Sequence, residues 1–181
     1  MFEEPEKLDI CYSKIESTAS IDDYKELFLG FDNMRVITFS SSAAFIAKMI
    51  RECSFKSVDI IFGNKKVFDG MPYMKELVMD SNAIINVLAR NEPEYVDYLK
   101  KRLSDNSLNI YIANPNALSH EKIYILWNDS DNKVRVITGS ANMSLKAYSG
   151  KQKRILLFTT MTIKLSIISI TDMIPYIMYL G

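Results

Sequence analysis

Apolar positions in residues 34–62 follow two different periods, which predict two kinds of element. Residues 34–39 and 58–62 are short runs rich in β-branched side chains, whereas Ala43–Cys53 has apolar residues spaced as on one face of a helix. Runs of the first kind favour strands, and the second spacing favours a helix. Serine, a common helix cap, fills 40–42. The segment therefore predicts a strand, a serine-capped helix and a second strand, which is the βαβ arrangement of parallel sheets.

The rest of the chain continues to alternate between the two periods. Alternation predicts strands over 107–113, 119–127, 133–138 and 154–159, and helical spacing predicts helices over 21–29, 74–89, 95–103 and 141–148. Asparagine and aspartate dominate 128–132, which predicts a turn that joins two strands into a hairpin. We therefore expect an α/β fold with a mixed β-sheet flanked by helices on both faces. It should form one domain over 1–181, with its core in about 34–158.

Composition limits the kinds of partner and compartment. The 181 residues are 48% hydrophobic, and 22 basic residues balance 22 acidic ones. A zero net charge excludes a broad basic surface, so any contact with nucleic acid must be local. Cys11 and Cys53 show no metal-binding or redox spacing and are expected to be reduced thiols. The acidic N-terminus has no secretory signal pattern, which predicts a cytoplasmic protein.

The C-terminal segment 159–181 has an atypical, apolar composition. Its stretch 161–180 is about as long as a membrane span but contains Lys164, Asp172 and Pro175, so we expect no stable membrane insertion. Two interpretations stay open. The segment is either a last core strand followed by an apolar surface that faces a second copy, or a truncated or altered end of a longer protein.

Candidate chemistry concentrates in residues 119–142. The chain has one histidine, His120, and alternation predicts that it shares one strand face with Lys122 and Tyr124. Gly139-Ser140-Ala141-Asn142 follows one hairpin later, where the glycine permits close approach of a ligand to the backbone. The hairpin brings an imidazole, a cation and two neutral donors around one phosphate-sized space. No metal-binding cluster is visible in the sequence, so the candidate chemistry needs no metal.

His120-x-Lys122 followed by Gly139-Ser140-x-Asn142 resembles the HxK…GSxN signature of the phospholipase D superfamily, especially its short, single-motif nucleases. The resemblance implies a phosphodiester hydrolase that needs no cofactor, with His120, Lys122, Ser140 and Asn142 as catalytic residues. The family has an Asp five residues after the Lys, where this chain has Trp127. Asp129 and Asp131 follow closely, and either is a candidate replacement.

The resemblance also implies a mechanism and an assembly. Two HxK motifs of that family face each other: one histidine forms a phosphohistidine, and the other protonates the leaving oxygen. Because this chain has a single histidine, the resemblance implies a homodimer with one shared site. Gly139, Lys146 and Lys151 are candidates for substrate binding. The two lysines are equally compatible with a solvated surface.

Three functions compete on this evidence. The first is a nuclease that cleaves DNA, and the second is a phospholipase D-type lipid hydrolase. The third is a catalytically degenerate module that binds nucleic acid within a restriction or helicase system. The nuclease is the leading hypothesis, and Trp127 at the Asp position together with the basic residues after the motif keeps the third open. Cleavage of plasmid DNA, turnover of a phosphatide and binding without turnover distinguish them.

Overall fold

A computed structural model of the chain describes residues 9–17, 24–63, 85–86, 88–112, 120–148 and 154–162. Seven strands form one sheet in the order β1-β7-β6-β5-β2-β3-β4. The strands are β1 (Asp9–Ser17), β2 (Asn33–Thr38), β3 (Ser57–Phe62), β4 (Leu108–Ile112), β5 (Ile123–Trp127), β6 (Lys133–Gly139) and β7 (Ile155–Thr162). The helices are α1 (Lys25–Phe28), α2 (Ala43–Cys53), α3 (Val96–Ser104) and α4 (Leu145–Tyr148). The prediction of an α/β fold with a mixed sheet is confirmed.

The unit β2–α2–β3 has the predicted order and direction. The two strands pair in parallel, and the Ser42 hydroxyl caps α2 by accepting from the Phe45 N–H at 3.3 Å. Ser54 ends the helix in the left-handed conformation, with φ of 59°. β4 then pairs in parallel with β3. One half of the sheet is therefore parallel, as the alternation of strand and helix predicted.

The other half of the sheet is antiparallel and is built on the predicted hairpin. β5 pairs with β6 from Ile123↔Thr138 to Trp127↔Val134, and β5 also pairs antiparallel with β2. β2 is therefore the strand at which the parallel and antiparallel halves meet. Its carboxyl end at Thr38 lies beside the start of β5, where the candidate chemistry is concentrated.

Strand β1 was not predicted from the sequence. It pairs antiparallel with β7, which extends to Thr162 rather than ending at 159. The predicted helix 74–89 lies mostly outside the described residues. Within it, residues 85, 86 and 88 are described as helical. The predicted helix 141–148 is helical only over Leu145–Tyr148. Of the predicted helix 21–29 the structure describes residues 24–29, and only Lys25–Phe28 is helical.

Most buried side chains belong to one cluster on one face of the sheet. Every described helix contributes to it, with Phe28, Phe45, Leu99 and Tyr148 as examples. Ile125 and Val134 form a smaller cluster on the opposite face. Among the described residues no helix contributes to this second cluster, so helices on that face stay a prediction. The main cluster fixes β2 and β5, and through them the site end of the sheet.

A buried ion pair links β2 to β3. Arg35 donates from Nε and Nη2 to one oxygen of Asp59, at 2.9 and 2.6 Å, and the Asn109 amide donates to the other oxygen at 3.0 Å. The side chains of Arg35 and Asp59 are 18% and 12% exposed. Removal of one partner leaves a poorly solvated charge, which costs far more than the loss of an exposed pair.

We predict that Asp59→Ala lowers the free energy of unfolding by about 3 kcal/mol, because Arg35 keeps its charge and loses its partner. Lys56→Ala is the matched control, since it breaks the exposed pair between Lys56 and Asp32 and is expected to leave the unfolding midpoint nearly unchanged. Urea unfolding followed by circular dichroism measures both. Equal effects of the two variants would contradict the prediction.

Candidate active site

The site lies where the β5–β6 hairpin joins the rest of the sheet. The ladder pairs Ile123 with Thr138, and the Gly139 N–H donates to the Lys122 carbonyl at 3.3 Å. The HxK segment and the Gly139–Asn142 turn are therefore neighbours through a direct backbone hydrogen bond. This bond places the two halves of the motif side by side at one end of the hairpin.

Gly139 is required by a close approach of β7. A Cβ atom at this position would lie 2.1 Å from the Ile155 carbonyl oxygen. That distance is far below van der Waals contact, and the nearest atom belongs to the backbone, which cannot rotate away. Any larger residue at 139 would therefore push β7 away from β6.

Ser140 joins the turn to β7 through two hydrogen bonds. Its N–H donates to the Ile155 carbonyl at 3.0 Å, and its hydroxyl accepts from the Ile155 N–H at 3.2 Å. Ser140 is exposed. Because the hydroxyl acts as an acceptor in this bond, its own proton remains able to donate to an anion.

Residues 141–143 are extended rather than helical because the end of β2 binds them. The Thr38 hydroxyl accepts from the Met143 N–H at 3.1 Å, and the Ser41 hydroxyl donates to the Met143 carbonyl at 2.6 Å. Backbone groups that pair in this way cannot take part in a first helical turn. The helix predicted over 141–148 therefore begins only at Leu145.

Asn142 is half-buried in this extended segment. Among the described residues its buried side-chain oxygen Oδ1 has no hydrogen-bond partner. Buried polar atoms are normally hydrogen-bonded, so an unpaired one calls for an explanation. This oxygen only accepts hydrogen bonds, so an anion would bind the amide N–H group of the same side chain.

Tyr124 supports the turn from within the core. It is fully buried, and its hydroxyl donates to the Ala141 carbonyl at 3.0 Å. Burial raises the pKa of Tyr124 well above its ordinary value, so the hydroxyl stays neutral and keeps its proton for this bond. Tyr124 lies within β5 and belongs to the main core, whereas His120 is exposed and lies outside the strand.

His120 and Lys122 precede β5 and do not lie on it, which corrects the strand predicted over 119–127. The backbone of β2 pairs with β5 only as far as Ile37 and Ile123. Beyond that point Thr38 and Ser41 bind the 141–143 segment instead, so the neighbouring strand needed to extend β5 is missing. His120 consequently lies in an irregular segment just before the first residue of β5.

The His120 imidazole stacks on the ring of Phe39, with centroids 4.5 Å apart and ring planes at 14°. The Lys122 amine donates to the His120 carbonyl, and its Nζ lies 5.8 Å from the centre of the same ring. In the described part of the chain no carboxylate pairs with Lys122. Within these ranges the lysine thus carries a positive charge that no carboxylate neutralises.

The two candidate replacements for the motif Asp lie at the opposite end of β5. Asp129 accepts from the Asn33 amide at 2.8 Å, and Asp131 accepts from the Lys133 N–H at 3.0 Å. Trp127, at the Asp position itself, packs against the smaller cluster. Both carboxylates therefore shape the hairpin turn, and neither reaches the end where His120 stands.

The remaining candidates are less closely tied to this site. Lys146 is exposed on α4, and Lys151 lies outside the described residues. Within the described ranges no group of three or more His, Cys, Asp or Glu side chains could hold a metal ion. No described helix is long and apolar enough to cross a membrane.

Sequence reasoning missed the contribution of β2 to the site. Thr38, Phe39 and Ser41 contact the turn or the imidazole, although they are about 80 to 100 positions away in the chain. The serines were interpreted as helix caps, and Ser42 is indeed one. Phe39 is the last residue of the predicted strand 34–39, and only the order of strands in the sheet reveals its contact with His120.

Comparison with known proteins gives likeness in structure only. The chain matches no protein-family model and no curated protein sequence. It is similar to NucT from Helicobacter pylori, with 16% identity and a TM-score of 0.41, over 82% of this chain and 86% of that one. It is also similar to the phosphatidylserine synthase of Haemophilus influenzae Rd KW20, with 14% identity and a TM-score of 0.49, over 83% of this chain and 34% of that one.

A third similar structure is the yeast tyrosyl-DNA phosphodiesterase, with 16% identity and a TM-score of 0.41, over 82% of this chain and 32% of that one. The chain thus spans about a third of the length of the last two proteins.

We predict that Gly139→Ala lowers the free energy of unfolding by about 2–3 kcal/mol, because the added methyl group forces β7 away from β6. Gly30→Ala is the control, since Gly30 has a left-handed φ of 83° but nothing within 4 Å of an added Cβ. Its cost is expected to be about 1 kcal/mol, from backbone conformation alone. Urea unfolding compares the two, and an equal or smaller cost at position 139 would show that β7 does not constrain it.

Proposed function

We propose that this protein is a metal-independent phosphodiesterase, a nuclease that cleaves DNA through a phosphohistidine on His120 in a site completed by a second copy of the chain. One observation carries the proposal. An exposed imidazole and an unneutralised lysine stand at the same end of the hairpin as the Gly139–Asn142 turn, joined by the bond between the Gly139 N–H and the Lys122 carbonyl.

The groups at this end match the needs of a phosphodiester. Such a group carries one negative charge on two non-bridging oxygens, and charge increases on them in the transition state. Lys122 supplies a cation, and the Ser140 hydroxyl and the Asn142 amide are neutral donors. Gly139, the other proposed contact with the substrate, begins this turn and gives the space of its missing side chain to β7. Lys146 and Lys151 are proposed to bind neighbouring phosphates, which agrees with a local contact on a chain without net charge.

The proposed reaction has two steps. In the first, an imidazole nitrogen of His120 attacks phosphorus, and the bond from phosphorus to the leaving oxygen breaks. His120 of the partner subunit gives a proton to that oxygen. In the second step a water molecule loses a proton to the partner's His120 and attacks phosphorus, the phosphorus–nitrogen bond breaks, and His120 is free again. No metal takes part in either step of this scheme.

The homodimer follows from the number of histidines. The scheme needs one imidazole as nucleophile and another as acid, and the chain contains only His120. A two-fold axis that passes beside His120 would supply the second imidazole from an identical residue. Substitution of His120 therefore removes both roles at once.

A second candidate function is a nucleic-acid-binding module without catalysis. It is favoured by one observation, the use of Asp129 and Asp131 in the hairpin turn, which leaves the motif without its usual carboxylate. The lipid hydrolase is a third outcome of the same test. Binding of DNA without turnover would support the module, and turnover of a phosphatide would support the lipid hydrolase.

We predict that the purified protein nicks or linearises plasmid DNA in the presence of EDTA and that His120→Ala abolishes this activity. Lys122→Ala is expected to lower the rate by about 100-fold to 1000-fold, because one stabilising charge is lost from the transition state. Lys101→Ala, an exposed lysine on α3, is the matched control and should cleave at the wild-type rate. An inert wild type that is folded and dimeric, or full activity in His120→Ala, would contradict the nuclease.

A mixing experiment tests the shared site. Wild type and His120→Ala are combined in equal amounts and allowed to exchange subunits. If each site needs two histidines, only dimers of two wild-type chains are active, and about a quarter of the activity of the undiluted wild type remains. About half would remain if every wild-type chain worked alone, and that result would contradict the shared site.

A further inference from the structure

The contact between Phe39 and His120 has a geometry that holds a ring without consuming its nitrogens. The two planes are nearly parallel, at 14°, and the centroids are 4.5 Å apart. A stack of this kind occupies one face of the imidazole, whereas both nitrogens lie at the ring edge. Among the described residues no hydrogen bond to the imidazole is present, and the stack on Phe39 is the contact that fixes its plane.

Residues before and after Phe39 in the chain fix the backbone at this position through hydrogen bonds. The preceding Thr38 side chain accepts from the Met143 N–H and donates to the Ser40 carbonyl at 3.0 Å. The following Ser41 bonds to the Met143 carbonyl and forms a bridge to that residue. The backbone that carries the phenyl ring is thus bound to the same segment that carries Asn142. Any shift of Phe39 relative to the turn would break these bonds.

The backbone of His120 lacks such support. Residues 120–122 are outside β5, and the last ladder bond in this direction involves the Lys122 carbonyl. Lys122 bonds to the His120 carbonyl, which fixes the lysine amine more than the imidazole. A side chain on an irregular segment turns freely unless packing limits its rotamers. The Phe39 ring supplies that limit, and it contacts the lysine amine as well, at 5.8 Å.

We infer that Phe39 is the positioning residue of the site: its ring fixes the plane of the His120 imidazole and relates it to the Gly139–Asn142 turn. This inference deepens the proposed function and rests on it. Nucleophilic attack needs a reacting atom in line with the bond that breaks, and misplacement by about 1 Å can cost about 100-fold in rate. Phe39 acts through His120 and touches no reacting atom in this scheme.

The single histidine gives the inference a spectroscopic test. The imidazole C–H protons of His120 form one isolated pair of NMR signals, since the chain has no other histidine. A ring stacked on the imidazole shifts these signals upfield. We expect Phe39→Leu to move them towards the positions of a free histidine, and Phe39→Tyr to leave them in place. Unchanged signals in Phe39→Leu would overturn the stack.

Kinetics test the role of the stack. We expect Phe39→Leu to lower kcat for DNA cleavage in EDTA by about tenfold to 100-fold with little change in KM, and Phe39→Tyr to restore it. Phe31→Leu is the matched control, because it removes a buried ring that lies against Lys133 and Arg135 and away from His120. It should lower stability and leave kcat unchanged.

The outcomes separate this inference from the proposed function. An active wild type whose kcat survives in Phe39→Leu would overturn the positioning role and leave the nuclease intact. An equal fall of kcat in Phe39→Leu and Phe31→Leu would show loss of stability and would also overturn it. An inert wild type with shifted NMR signals would overturn the function, and with it the positioning role, while the stack itself would stand.

Discussion

The candidate site depends on one backbone contact, the approach of β7 to the turn after β6. The Ile155 carbonyl accepts from the Ser140 N–H and occupies the space where any side chain at position 139 would begin. The Gly139 N–H meanwhile donates to Lys122, so three strands converge within two residues. A larger residue at 139 would displace β7, and the hydrogen bonds between Ser140 and Ile155 would be lost. The glycine therefore serves the sheet, because β7 fills the space that its missing side chain leaves.

The core and the site are coupled through neutral hydrogen bonds. Tyr124 is fully buried among aromatic side chains, yet its hydroxyl reaches the Ala141 carbonyl. Burial favours the neutral phenol, and a neutral phenol is the form that donates. Thr38 and Ser41 complete the hold on the same segment from β2. Uncharged donors therefore hold the turn, and none of these bonds neutralises Lys122.

The sequence predicted the elements whose signals are local, and it failed where position depends on distant strands. β2, α2 and β3 were predicted nearly to the residue because each has its own period of apolar residues. β1 was missed since its position depends on pairing with β7, about 140 residues later in the chain. His120 was expected on a strand, because alternation continues through it, but the divergence of β2 ends the ladder at Ile123. Phe39 has no local signal that could distinguish it from an ordinary residue at the end of a strand.

The same geometry explains how a departure from the family pattern can leave the site intact. Trp127 stands where the resembled family has an aspartate, and the full length of β5 separates it from the segment that carries His120. At that end, Trp127 packs against the smaller cluster while Asp129 and Asp131 bond within the turn and to β2. The substitution therefore changes the packing of the hairpin tip. The imidazole, the lysine and the Gly139–Asn142 turn are all at the other end, so the groups required by the proposed chemistry are present without that carboxylate.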